Sequence, residues 1–201
     1  MWQLLRSSLF ILLFAAIATG TSAQSVNRHS TAMGFSPWPV DFNQAGVDRT
    51  YRFIRAHANL VFVSITPLNF GRDGLAPAWT NRGDNQRLPR AWRNATLDED
   101  RVVAAYTNYV RRVIAYFEPD YLAIGIEANI IISKAPHLWN DYAALHATVY
   151  EAIKREHPRL PVFATVQYEH LRGIESDSLQ YLDYQMPAVA TLMRSSDLLA
   201  L

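Results

Sequence analysis

Three short apolar runs constrain this chain more than anything else in it: residues 60–65 (LVFVSI), 121–126 (YLAIGI) and 161–166 (PVFATV). Each is continuously apolar rather than alternating, the pattern of a strand covered on both faces. Between them lie segments with helical spacing. Val102, Tyr106, Val110, Val113 and Phe117 mark one helical face, and Leu138, Tyr142, Leu145, Val149 and Ala152 mark the next. Thr96 and Glu99 read as a capping box that opens the first of these helices, and Pro119 closes it. Strand and helix in alternation, with strands that want cover on both sides, predict a parallel sheet with helices packed outside it.

Further elements extend the alternation on either side. Residues 31–36 form a short extended candidate, stopped by Pro37, Trp38 and Pro39. A helix follows Asn43, with Val47, Tyr51, Ile54 and Ala58 on one face. Pro187 suits the first turn of a last helix running to about Arg194, and residues 197–201 read as one more strand. Two closures satisfy this order, a doubly wound open sheet and a (β/α)8 barrel. A barrel commonly takes about 250 residues. Length alone, at 201 residues, therefore favours the open sheet.

The first 23 residues read as an export signal rather than as part of the fold. Arg6 precedes ten apolar residues, 9–18, and small residues at Thr21 and Ala23 suit cleavage before Gln24. Ten helical residues rise only about 15 Å, half of what a bilayer core requires. The expectation is a secreted or periplasmic protein, with residues 1–23 removed and 24–201 forming one domain with no membrane association.

Composition excludes several chemistries. There is no Cys, so no disulfide framework, thiol nucleophile or iron–sulfur cluster is available. A net charge of +1 argues against a nucleic-acid partner. Glu156-His157 and Glu169-His170 lack the spacing that sets two imidazoles on one helical face, and no phosphate-binding glycine loop or nucleophile elbow occurs. No metal and no cofactor is expected. His146 and His157 read as structural, Gly71-Arg72-Asp73-Gly74 as a turn, and Asn94-Ala95-Thr96 matches a glycosylation sequon.

In either closure, ligands bind at the carboxyl ends of the strands. The residues there are Asn69 after the first apolar run, Glu127 and Asn129 after the second, and Tyr168, Glu169 and His170 after the third. Glu127 is the candidate catalytic group, since a carboxyl at the rim of an apolar strand is partly desolvated and suited to proton donation. Residues 67–95 are long and polar for an internal connection yet hold Trp79 and Trp92. Exposed indoles on such a rim, with Trp38, suit the apolar faces of sugar rings. Trp38, Asn69, Trp79, Trp92, Asn129 and Tyr168 are the candidate substrate contacts.

Residues 34–39 (GFSPWP), 64–69 (SITPLN), 121–129 (YLAIGIEAN) and 193–201 (MRSSDLLAL) resemble secreted (β/α)8 glycoside hydrolases of clan A, and among them the arabinogalactan endo-β-1,4-galactanase-like members. The resemblance implies a polysaccharide or oligosaccharide substrate and a retaining mechanism with two carboxylates. It implies that Glu127 is the acid/base, although Ile126 stands where that clan carries an Asn. The clan's nucleophile follows strand seven, which lies past Leu201, and between the first helix and Leu60 the sequence is one βα unit short of the clan's pattern. The expectation is thus a partial TIM-barrel-like fold, incomplete at the C-terminus, with an open doubly wound sheet as the alternative. A non-catalytic carbohydrate-binding protein, and an exported α/β domain for an unrelated small ligand, are the competing functions; the oligomeric state is not specified.

Overall fold

The apolar runs pair side by side as their burial demands. The computed structural model describes residues 12–16, 36–43, 47–57, 60–174 and 181–201. In chain order its elements are β1 (Leu12–Ala16), α1 (Val47–His57), β2 (Leu60–Ser64), β3 (Ala78–Thr80), β4 (Gly83–Gln86), α2 (Asp100–Phe117), β5 (Tyr121–Ala123), α3 (Ile130–Lys134), α4 (Trp139–Glu156), β6 (Val162–Thr165), α5 (Tyr168–Leu171), α6 (Tyr181–Met193) and β7 (Leu199–Ala200). The main sheet has the order β1-β2-β5-β6-β7. Its last four strands are parallel, and β1 lies antiparallel on β2 with Leu12 opposite Ser64 and Ala16 opposite Leu60. The chain is therefore of the α/β class. The parallel strands follow chain order without a reversal, and the described residues form no closed barrel.

Each side of the sheet is built by alternation along the strands. Val61, Val63 and Ile65, Leu122 and Ile124, and Val162 and Ala164 point into one core with the apolar faces of α2 and α4. On the opposite face, Ala123 of the middle strand is small enough for Phe62 and Phe163 to meet across it. Their rings stack at 5.7 Å with an interplanar angle of 9°. Ser64, Ala123 and Phe163 are buried on that face too, while Leu60 and Tyr121 at its amino end are exposed, so the two-sided cover predicted from sequence is present at the carboxyl end of the strands.

Register is set by a device used twice. Asp120, just before β5, accepts a hydrogen bond from the Val61 N–H at 2.7 Å and returns its own N–H to the Val61 carbonyl at 2.8 Å. Asp197, two residues before β7, does the same with Val162 of β6, at 2.8 Å in each direction. Burial works to raise the Asp197 carboxyl. Hydrogen bonds from Lys154, the Val162 N–H and Tyr150 outweigh it and leave Asp197 below the usual carboxylate value. A carboxylate at the start of a strand thus satisfies the first free donor of its neighbour.

Several expectations are adjusted. Helix α2 starts at Asp100, and only half of the capping box forms. The Thr96 N–H donates to Glu99 Oε1 at 2.8 Å, while the Thr96 hydroxyl donates to Asp98 rather than accepting from Glu99. The far end is as predicted, with Glu118 left-handed at φ 43° ahead of Pro119. Pro187 lies inside α6, not in its first turn. The stretch 67–95 is not a plain loop: it carries the antiparallel β3–β4 hairpin and a 3-10 turn at Arg90–Trp92. Residues 31–35 and most of the segment read as an export signal lie outside the described residues; within that segment, Leu12–Ala16 form β1.

Candidate functional site

The connections leaving β2, β5 and β6 emerge beside one another at the carboxyl end of the sheet, and Glu127 stands in the middle one. Its backbone is left-handed at φ 50°, a conformation that costs a residue with a Cβ about 1–2 kcal/mol. Three hydrogen bonds to β6 impose it. The Glu127 N–H donates to Thr165 Oγ1 at 2.9 Å, the Ala128 N–H to the Thr165 carbonyl at 3.0 Å, and the Thr165 N–H to the Gly125 carbonyl at 2.8 Å.

Beneath this turn the helix side is packed with phenols. The Tyr106 hydroxyl donates to the Ile124 carbonyl at 2.9 Å. The Tyr142 hydroxyl, which has no hydrogen-bond partner among the described residues, sits where a Cβ on Gly125 would come within 2.1 Å of it. Burial pushes both phenols well above their ordinary pKa. Position 125 is therefore glycine for a steric reason. Gly125→Ala should cost about 1–3 kcal/mol in urea unfolding, whereas Tyr142→Phe should be close to neutral because the hydroxyl it removes is unpaired. The double variant should recover much of the loss, since the remaining neighbours, Ala164 Cβ at 3.3 Å and Tyr142 Cζ at 3.4 Å, need give by only a few tenths of an ångström. Strict additivity of the two changes would refute the clash.

The carboxylate of Glu127 does not face an apolar wall, as its sequence context implied; it meets a guanidinium. Arg72 Nη2 donates to Glu127 Oε2 at 3.0 Å, with the arginine side chain 3% exposed and the glutamate side chain 39% exposed. The same guanidinium donates from Nε to the Ile126 carbonyl at 3.0 Å and from Nη1 to the carbonyls of Asn69 and Phe70 at 3.0 and 3.1 Å. Burial lowers the Arg72 pKa and the Glu127 charge opposes that shift. Arg72 is itself left-handed at φ 59°, in a tight turn closed by the Asn69 N–H on the Gly74 carbonyl at 2.9 Å. Gly71-Arg72-Asp73-Gly74 is thus a turn, as read from sequence, but one that delivers a buried cation to the site. Nothing in the local sequence marks that role, because the partners of Arg72 come from a strand connection 54 and 55 residues further along.

The other expected contacts divide. Asn69 lies at the mouth of the Arg72 turn, where its side chain binds Asp73 on both atoms, Nδ2 to Oδ1 at 2.7 Å and Oδ1 from the Asp73 N–H at 3.2 Å. Asn129 is fully buried and internally used. It clamps the Gln167 backbone through Nδ2 and Oδ1 at 3.1 and 2.8 Å and binds Gln185 Oε1 at 2.8 Å, so it positions the β6 connection rather than a ligand. Tyr168, next along that connection, is exposed, with the Arg172 guanidinium over its ring at 5.8 Å. Ser133 Oγ lies 2.6 Å from His170 Nε2 and ties α3 to α5.

The tryptophans are corrections. Trp38 is completely buried, packed at 5.8 and 6.1 Å against the rings of Tyr106 and Tyr109, with its Nε1–H on the Pro77 carbonyl at 3.2 Å. Arg112 holds its segment to α2 through the carbonyls of Trp38 and Val40. Trp92 is buried under the Arg101 guanidinium. Trp79 is half-buried, edge-on to Phe42 at 5.9 Å. Indoles are large apolar bodies, and here Trp38 and Trp92 join the main core, with Trp79 packed against it. The exposed ring near Glu127 that the sequence reading missed is Phe70, 70% exposed, whose carbonyl shares the guanidinium that holds Glu127.

A cleft of about 590 Å³ lies elsewhere, lined by Asn43, Asp48, Arg49 and Thr50. Among the described residues no cluster of His, Asp and Glu could hold a metal ion, and no helix is long and apolar enough to cross a membrane. Comparison with protein-family models, with curated proteins and with solved structures finds no match to this chain.

Proposed function

We propose that this chain is an exported, glycoside-hydrolase-like protein that binds a β-linked oligosaccharide or polysaccharide across Glu127. The observation that carries the reading is the arrangement at the carboxyl end of the sheet. A carboxylate in a left-handed turn is held on one oxygen by a buried arginine, and exposed rings, Phe70 and Tyr168, stand on the connections of the flanking strands β2 and β6. An aromatic face beside a hydrogen-bonding carboxylate complements a sugar ring, which presents C–H groups on its faces and hydroxyls at its edge. The unreversed parallel strand order supports a sector of a (β/α)8 barrel over a doubly wound sheet, whose order must reverse at a switch point.

In the hydrolytic form of this reading, Glu127 donates a proton to the glycosidic oxygen and later accepts one from water. A second carboxylate about 5–5.5 Å away attacks the anomeric carbon. Binding without turnover is the second reading, favoured by the ion pair that already occupies one oxygen of Glu127. One experiment separates them: calorimetric titration with β-1,4-galactotetraose, alongside release of reducing ends from β-1,4-galactan. If hydrolysis operates, Glu127→Gln should lower turnover by about 100-fold or more while binding persists. Binding that depends on Phe70 and Tyr168, with no turnover in the unaltered chain, would establish the second reading. Absence of binding to any β-linked oligosaccharide would dismiss both.

A further inference from the structure

Outside the Glu127 site, positive charge gathers on the β3–β4 hairpin and the turn after it. Residues 82–93 carry Arg82, Arg87, Arg90 and Arg93 against a single acid, Asp84, in a chain whose net charge is only +1. All four arginines are exposed. Five arginines elsewhere are matched with acids: Arg52 with Asp48, Arg55 with Asp120, Arg72 with Glu127, Arg101 with Glu99 and Arg111 with Glu156. None of the ion pairs among the described residues involves Arg82, Arg87, Arg90 or Arg93, and only Arg93 is engaged, by its Nε–H on the Leu88 carbonyl at 3.0 Å. Two of the acids that follow are already used at the start of α2, where Asp98 takes the Thr96 hydroxyl and Glu99 takes the Thr96 N–H and Arg101.

The hairpin that presents these cations is anchored. Thr80 Oγ1 donates to Gln86 Oε1 at 2.9 Å across its two strands. The Trp79 N–H donates to the Pro37 carbonyl at 3.1 Å, and the Asp41 N–H to Asn81 Oδ1 at 2.7 Å. Its seat is the segment 37–42, not the Glu127 turn. Exposed guanidiniums carried on an anchored backbone match carboxylates through paired N–H donors.

We propose that this hairpin is a second binding site, separate from Glu127, for a carboxylate-bearing polysaccharide such as a polyuronate. The surroundings select that class of anion. No large apolar side chain between residues 78 and 95 is exposed, so nothing is available to enter a lipid surface, and Trp79 and Trp92 are turned inward. The same lack of exposed rings removes the stacking platform of a single-stranded nucleic acid, and a net charge of +1 lacks the broad basic field of a duplex binder. A repeating carboxylate on a polar chain remains.

The test is calorimetric titration of the full chain with a hexamer of galacturonate and, in parallel, with neutral β-1,4-galactotetraose. Arg82→Gln/Arg87→Gln/Arg90→Gln should weaken hexagalacturonate binding roughly tenfold or more and leave galactotetraose binding unchanged. Raising salt from about 20 to about 200 mM should weaken the acidic ligand several-fold and the neutral one little. These side chains are exposed, so the thermal midpoint of the triple variant should match the parent, and a matched midpoint ensures that lost binding is not lost fold. Equal hexagalacturonate affinity in parent and triple variant would overturn the proposal, as would binding confined to anionic phospholipid vesicles or to DNA. Glu127→Gln should leave hexagalacturonate binding to the hairpin intact. The Glu127 reading fails on galactotetraose and the hairpin proposal on hexagalacturonate, so each can fail alone.

Discussion

Arg72→Met is expected to destabilise the chain by about 2–4 kcal/mol, because buried acceptors that lose their donor cost about 1 kcal/mol or more each. The side chain of Arg72 is 3% exposed, so water does not replace it. Methionine fills much of the same volume but donates nothing, which strands the carbonyls of Asn69, Phe70 and Ile126 along with Glu127 Oε2. The measurement is the urea midpoint and slope at neutral pH. Arg72→Lys should recover only part of the loss, because one ammonium cannot reach acceptors spread around a planar fork. The Met variant should also lose oligosaccharide binding, since Phe70 and Glu127 are held by the same group. A stability change below about 1 kcal/mol, the scale of an exposed pair, would show that the turn closes without the guanidinium.

Acid should destabilise the chain in a window where carboxylates contribute little, and His146 is the cause. Its ring is buried in α4, with neither nitrogen hydrogen-bonded among the described residues and Tyr142 at 6.2 Å as a ring neighbour. Burial disfavours the imidazolium and lowers the pKa from 6.5 to about 4. Between those values the unfolded chain binds a proton that the folded chain refuses, so unfolding free energy falls as pH drops. The loss begins near the unfolded value of 6.5 and is complete near 4; a shift of this size corresponds to roughly 3 kcal/mol. The carboxyls held below their usual range act from their ordinary values downward, 4.5 for Glu99 and Glu156 and 3.8 for Asp48 and Asp197, and so overlap only the lower edge of that window. His146→Leu should flatten the slope in urea titrations from pH about 7 to about 4. It should cost little at neutral pH, because it removes an unpaired buried donor. An unchanged slope would mean that the ring protonates in the folded state without penalty.

The elements were legible because each rests on a local pattern. The run 60–65 is continuously apolar, and Val61, Val63 and Ser64 of β2 are buried; the spacing of Val102 through Phe117 is helical, and α2 buries that face. Glu127 was placed at a strand's carboxyl end from its neighbours alone. Other features were not legible. Trp38 follows a strand candidate between two prolines, the position of a rim residue, and only its contact with Tyr106 and Tyr109, some seventy residues away, reveals it as core. Pro187 has a helix-start signature, yet α6 begins at Tyr181. Phe70 was passed over because an aromatic in a polar loop carries no mark of exposure.

What the chain's own order of residues determined is the class of fold and the site's address: period and apolar run length dictate strand or helix, and parallel strands collect their connections at one end. What only the folded molecule decided is which side chains meet there. Arg72 joins Glu127, Asn129 turns inward and the indoles withdraw into the core, because burial and hydrogen-bond satisfaction are settled between segments far apart in sequence, where no local pattern reaches.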